Sequence, residues 1–440
     1  MTDVSSTAWR NWAGNQVARP RRVVAPRSVD EVAEAVRAAA DAGLPVRMRG
    51  TGHSFTGAAV TDGVLLEPSG MTGVRSVDAD AGLVTVDAGM PLAALNEMLA
   101  TGGLALTNMG DIAVQTVAGA IQTGTHGTGR DSGAIAAQVH ALELVLADGS
   151  VRTVAADSAD DGDRDLFHAA RVGLGALGVV TAVTFRVEPA FLLRAREEPM
   201  PLEEVLGGFD DLVKDNEHFE FYWFPHTGST SVKRNNRVDG PAAPLGRLRA
   251  WFDDEFVAND VFEVTNRVTA RLPAAVPLVN AVATRALGSR TYTDASYRVF
   301  ASPRRVRFVE QEYAIPRGAL VEAMRDIRAL IDRRGWRVSF PIEVRVTPPD
   351  DAWLATSYGR DTAYIACHMF HRTPNPAYFA GVEEILVAAG GRPHWGKLHT
   401  RDAAYFAGAY PRFADFTALR DRLDPDRRFA NGYLDRVLGA

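Results

Sequence analysis

The sequence predicts an α+β protein of two domains, the second built on a large antiparallel sheet. Three observations lead there. A chain of 440 residues has room for two or three cores at about 100 to 200 residues per domain. Helical patterns and short apolar runs alternate through its first quarter. Beyond residue 190 the pattern changes to aromatic-rich runs separated by helical stretches, as in an antiparallel sheet carrying helices. The composition, 46% hydrophobic and 23% charged, is that of an ordinary folded protein.

In chain order, Ser28 and Glu31 form a capping box for a helix that Gly43 stops. Short β-type runs follow at 45–49, 64–66 and 83–86, then a Pro91-led helix ending at Gly102 and Gly103. Residues 104–133 are nearly all Gly, Thr, Ala and small apolar residues, the composition of backbone that lies against a ligand. An acidic, exposed stretch from Asp157 to Asp165 precedes a helical D-L-F-H-A-A-R. The glycine turn of Gly173, Gly175 and Gly178 then enters a strand that ends at Pro189, where the first domain boundary falls. Strands are predicted at 219–224, 336–346 and 362–371, and a helix at 317–334.

Several function classes lose their warrant. Forty-eight basic against 54 acidic residues give a net charge of −6, with no basic cluster for nucleic acid. One cysteine, Cys367, excludes a disulfide framework and a cysteine-based metal cluster, and fits a cytoplasmic location. No metal site is expected. The N-terminal residues lack the pattern of a secretory signal. The most apolar stretch, Val268 to Gly288, is broken by Arg271, Pro273, Pro277 and Arg285, so no membrane partner is expected. Gly173, Gly175 and Gly178 spell G-x-G-x-x-G but run from helix into strand, the reverse of a dinucleotide fingerprint, and read as a helix C-cap and turn. Walker A and H-E-x-x-H sequences are absent.

Two loops carry the sharpest signals, R-G-T-G-H-S-F at 49–55 and T-G-T-H-G-T-G at 123–129. Both alternate Gly with Ser, Thr or His, so backbone N–H groups and hydroxyls can approach a phosphate or a heteroaromatic ring unobstructed. Two such loops imply a large, multiply anchored cofactor. Farther on, Glu343 and Arg345 alternate on one strand face with Val344 and Val346 on the other. Ala366, His368 and Phe370 share a face of the next strand, and P-H-W-G-K delivers Lys397.

Together R-G-T-G-H-S-F, T-V-A-G-A-I-Q-T-G-T-H-G-T-G, G-L-G-A-L-G-V-V-T, P-H-W-G-K and the closing R-L-D-P-D-R-R-F-A-N-G-Y-L resemble the vanillyl-alcohol-oxidase superfamily of FAD flavoproteins. Within it the likeness is to the aldonolactone oxidase and alditol oxidase group, and it covers essentially the whole chain. It implies a PCMH-type FAD-binding domain at 1–190, an α/β substrate or cap domain at 191–400, and a segment at 401–440 returning to the FAD domain. It also implies a small sugar lactone or polyol as substrate, with hydride passing to flavin N(5) and dioxygen returning the flavin to its oxidised form with release of peroxide. A dehydrogenase with another electron acceptor is the alternative.

By the same resemblance His53 is the covalent FAD attachment site, through a ring nitrogen to the flavin 8α-methyl. Arg49, Gly50, Thr51, Gly52 and Ser54 surround it as cofactor-binding residues. Thr116, Gly119, Thr123, Gly124, Thr125 and His126 wrap the pyrophosphate and isoalloxazine, and Val180 touches the adenine part. Lys397, Arg345 and Glu343 are the implied catalytic set, and with Asp111 and His368 they bind substrate. Asp111 stands where alditol-type members carry a serine. Gly110 occupies a position beside the flavin that gates dioxygen, where a Cβ would close the gate.

Overall fold

The structure is a computed structural model; it describes residues 3–4, 8–373 and 375–440. Its elements bear out the α+β expectation. Ser28 caps the helix Val29–Asp41, its hydroxyl accepting from Glu31 N–H, and Gly43 leaves it at φ +64°. Glu31 reaches back to the N–H of Arg27 instead of Ser28, so the capping box is shifted by one residue. Val32, Ala35, Val36 and Ala39 line the buried face of this helix. They pack on a four-stranded sheet whose order is Asp3–Val4, Arg22–Val24, Val64–Leu66, Val46–Met48, the last two pairs parallel.

A second sheet of five antiparallel strands follows, centred on Val179–Arg186 between Val139–Val145 and Leu83–Asp87. The two sheets meet at the glycine turn before Val179, where Gly175 has φ +64° and a Cβ on Gly178 would lie 2.9 Å from the Val145 carbonyl. Arg47 spans this junction. Its buried guanidinium donates to the carbonyls of Ala58, Leu174, Gly175 and Phe429, tying together three distant chain segments. Helices Ala403–Ala409, Phe413–Leu423 and Gly432–Leu438 pack in the same core as this sheet.

The third sheet has eight antiparallel strands in the order Arg290–Ala295, Leu192–Pro201, Ser229–Arg237, His218–Trp223, Ile342–Thr347, Thr362–Phe370, Phe308–Pro316, Arg392–Pro393. Period-two alternation divides its faces. Phe219, Phe221, Val344, Ile365, Cys367 and Val309 point to a core closed by the helices Leu320–Arg334 and Pro376–Ala388. The other face carries Glu220, Tyr222, Glu343, Arg345, His368, Glu310 and Glu312. Register pairs Tyr222 with Glu343 and Glu310 with His368. One predicted strand is shorter than expected: 336–346 is extended only as Ile342–Thr347, because Pro341 has no N–H to give the ladder. Trp336 instead packs edge-on against Tyr378.

Candidate active site

The two glycine loops border two clefts that share His53, Ser54, Gln115 and Thr123. The first cleft, about 910 Å³, is lined by Gly50, Thr51, Gly52, Thr116, Gly119, Gly175 and Val180 among others. Close packing explains its glycines. A Cβ on Gly50 would collide with Thr116 Oγ1, and one on Gly119 would come within 2.9 Å of the same atom. The lining has N–H groups, hydroxyls and an apolar strip of Val46, Met48, Ala118, Val179 and Val180, and no carboxylate. That chemistry fits a dinucleotide with a pyrophosphate, as FAD is.

The second cleft, about 1000 Å³, has the charged face of the large sheet as its floor. Asp111, Glu343, Arg345, His368 and Lys397 all line it, with Thr125 and His126 from the second loop. Arg345 is the hub. Its Nη2 pairs with Glu343 Oε1 and lies 3.3 Å from Asp111, and its Nε bonds Glu220 at 3.0 Å. Arg304 bonds Asp111 at 2.6 Å, and Tyr222 donates to Glu343 at 2.7 Å. On the far side Lys397 pairs with Glu310, while His368 Nε2 stands 3.5 Å from the same carboxylate.

These contacts set the protonation states. Burial raises the Asp111 carboxyl, but Arg304 and Arg345 outweigh it and hold Asp111 well below the usual range. Glu343 goes the other way: burial, with Asp111 and Glu220 adding, raises it against the pull of Arg345. Burial lowers Lys397 and His368, yet Glu310 reverses the sign in both and keeps them cationic further up the pH scale. His53 is lowered to about 4 by burial and by Lys397, which leaves its ring neutral near pH 7.

Three expected cofactor-binding residues border neither cleft. Arg49 turns to Glu67 at 2.5 Å and over the Trp9 ring. Gly124 takes φ +74° in the turn after the helix Val117–Gln122, beside Val172. A Cβ on Gly110 would meet Thr125 Cγ2 at 3.1 Å and the His126 carbonyl at 3.4 Å. Its effect on either cleft is therefore indirect, through Thr125.

Sequence reasoning missed Arg304, Glu220, Tyr222, Glu310, Glu312 and His394. The E-x-E of Glu310 and Glu312 in an apolar strand is the same alternation signal as E-x-R at 343–345 and could have been read. Arg304 lies in a loop without any such signal. His126, Glu312 and His394 bring ligand-type atoms within 4.8 Å of one another. Hydrogen bonds already use the rings: the His126 nitrogens face the Gly127 carbonyl and Glu312, and His394 Nδ1 accepts from Gly396 N–H.

A pH effect on stability follows from His399, lowered to about 3 by burial, with Arg436 and Arg401 adding. Between the unfolded value near 6.5 and about 3, the unfolded chain binds a proton that the folded chain refuses, so stability falls as pH falls. The melting temperature is expected to drop more steeply from pH 6.5 to 4 in the wild type than in His399→Leu. Parallel slopes in thermal melts would refute this.

A glycine-lined cleft that fits a dinucleotide opens onto a chamber of paired charges, and, with the matches that follow, the protein is a flavin-dependent oxidoreductase of CH–OH groups. Comparison with known proteins gives the particular family. Residues 20–155 match the FAD binding domain, and residues 183–437, more than half the chain, match D-arabinono-1,4-lactone oxidase. The chain belongs to the D-arabinono-1,4-lactone oxidase family. It is 42% identical over 434 residues to the L-gulono-1,4-lactone dehydrogenase of Mycobacterium tuberculosis, covering 99% of this chain and 100% of that one. It is 34% identical to the L-gulonolactone oxidase of Bos taurus over 98% of both chains. It is 33% identical to the alditol oxidase of a Streptomyces species over 98% of this chain and 99% of that one. In fold it matches the cholesterol oxidase of B. sterolicum with a TM-score of 0.83 at 18% identity, over 99% of this chain and 97% of that one.

Proposed function

We propose that the protein oxidises a carbinol of an aldono-1,4-lactone, such as gulono- or arabinono-lactone, or of an alditol, and passes the electrons to dioxygen. The observation that carries this reading is the Glu343, Arg345, Asp111 and Lys397 cluster facing a cleft that shares His53 with the cofactor cleft. In this reading residues 1–190 bind FAD, 191–400 form the substrate cap and 401–440 return to the FAD part, in the cytoplasm. When bound, FAD supplies the electron acceptor for the carbinol.

The chain's own groups orient and polarise the substrate. Asp111, held ionised, accepts from a substrate hydroxyl, and Arg345 offers a planar donor fork to neighbouring oxygens. Glu343, with its raised carboxyl, takes a hydrogen bond from the reacting hydroxyl. Lys397 holds positive charge where the oxygen becomes anionic. Substrate fixed by several such contacts reacts with much of its entropic cost already met. A panel of aldonolactones and alditols assayed for peroxide tests the reading, and no turnover of any of them would refute it. The second reading, a dehydrogenase, is favoured by the 42% identity to a dehydrogenase. Turnover with an artificial acceptor and none with oxygen would establish it.

Two further outcomes belong to this reading. Covalent attachment at His53 is supported by its place at the junction of the clefts and by its neutral ring, since alkylation needs a free nitrogen lone pair. Acid precipitation should keep the yellow colour in the pellet for wild type and release it for His53→Ala; release from wild type would refute the link. Gly110→Ala should slow flavin reoxidation by oxygen at least about tenfold while sparing reduction, the added methyl acting by pressing on Thr125. Unchanged reoxidation would remove Gly110 from the oxygen path.

A further inference from the structure

The helical excursion between Arg247 and Ala286 is built inside out. It runs through the helix Arg247–Ala250, a π-helical stretch Trp251–Val261, and the helices Phe262–Arg271 and Val276–Ala286. Its buried residues are Asn259, Asn266, Thr269, Val276 and Asn280, four of the five polar. These side chains tie the excursion to the body. Asn259 donates to the Pro303 carbonyl and accepts from Arg305 N–H, Asn266 accepts from Ser339, and Asn280 donates to the carbonyls of Pro225 and Val338.

The apolar residues face outward. Eleven of the fifteen large hydrophobic residues exposed among the described residues lie here, which makes this a patch and not ordinary scatter. Val261, Val264, Val268 and Leu272 follow helical spacing, as do Leu278 and Val282, so each helix turns a continuous apolar stripe to the outside. Leu248 is 85% exposed and Leu278 69%.

Charge says what covers it. Every carboxylate of the excursion has an arginine partner: Asp253 and Asp254 with Arg290, Glu255 and Asp260 with Arg305, Glu263 with Arg267. Arg247, Arg271 and Arg285 have no carboxylate partner among the described residues. An apolar stripe bordered by free cations complements an anionic lipid surface. A second copy would bring the same unpaired cations and no free carboxylate from this excursion to meet them. No described helix is long and apolar enough to cross a membrane.

We propose that the 247–286 excursion docks the protein on an anionic membrane surface, with its apolar stripe at the acyl boundary and Arg247, Arg271 and Arg285 on lipid phosphates. The net charge of −6 opposes approach to such a surface, so binding depends on this patch and should weaken with salt.

Flotation of the purified holoenzyme with vesicles tests this. Three cations at about 1 kcal/mol each correspond to roughly a hundredfold preference for vesicles of phosphatidylglycerol and phosphatidylcholine over phosphatidylcholine alone. The preference should be lost in Arg247→Glu/Arg271→Glu/Arg285→Glu. Binding should fall at least about tenfold in Leu248→Ser/Val264→Ser/Leu278→Ser, whose changed side chains are mostly exposed, while turnover in solution stays at the wild-type rate. Failure of wild type to float with anionic vesicles would overturn the proposal, as would flotation that neither triple variant alters. Light scattering is measured in parallel. A dimer that the serine variant dissociates, without vesicle binding by wild type, would assign the face to a second copy and also overturn it.

Discussion

Arg345→Ala is expected to lose both stability and turnover, because one guanidinium answers three carboxylates, two of them buried. Glu343, Glu220 and Asp111 all pair with it, and its side chain is 8% exposed. Asp111 keeps Arg304 and Glu220 keeps Lys233 at 3.6 Å, but Glu343 is left with only the Tyr222 hydroxyl. Breaking a buried pair from one side costs about 3 to 5 kcal/mol, visible as an earlier thermal transition. Arg345→Ala/Glu343→Gln, which neutralises the stranded carboxylate, should recover part of that stability and none of the turnover. Arg345→Lys should restore charge without the planar fork and remain poor in substrate binding. A single variant melting with wild type, or a double variant that recovers turnover, would show that Arg345 acts only as a structural counter-charge.

Lys397→Met is expected to keep FAD bound and to slow anaerobic bleaching of the flavin by substrate about 100- to 1000-fold. That range is the loss typical when one charge-stabilising donor is taken from a transition state, about 2.7 to 4 kcal/mol. Lys397 lines the second cleft with Arg345 and borders none of the first, so cofactor binding should survive the change. Its pairing with Glu310 gives a second readout. Without the ammonium, Glu310 is left with His368, and the pH profile of bleaching should move to reflect that new pair. Bleaching within threefold of wild type would reduce Lys397 to a partner for Glu310.

The alternation of Glu343, Arg345 and the valines was legible because a strand's period of two needs no knowledge of its neighbours. The helix caps at Ser28 and Gly43 were legible for the same local reason. Partners brought by other strands were not. Glu220 meets Arg345 only because 218–223 pairs with 342–347, and Arg304 meets Asp111 from a loop nearly two hundred residues away. Pro341 could have shortened the predicted 336–346 strand, since a proline in a central strand argues against it. Aromatic density at Trp336 and Phe340 outweighed it. Both glycine loops of the resemblance border the clefts, whereas Gly110 and Gly124 lie off either lining, a distinction that only backbone coordinates carry.

Arg47 implies an order of events during synthesis. Two of its four acceptors, on Leu174 and Gly175, emerge from the ribosome long after residue 47, and the Phe429 carbonyl emerges later still. Phe429 also borders the cofactor cleft. Until the growing chain has passed residue 429, this cation lacks one of its anchors and the cleft lacks part of its wall. A cleft with its full wall and its fully anchored cation is therefore a late product of synthesis, completed only by the last dozen or so residues.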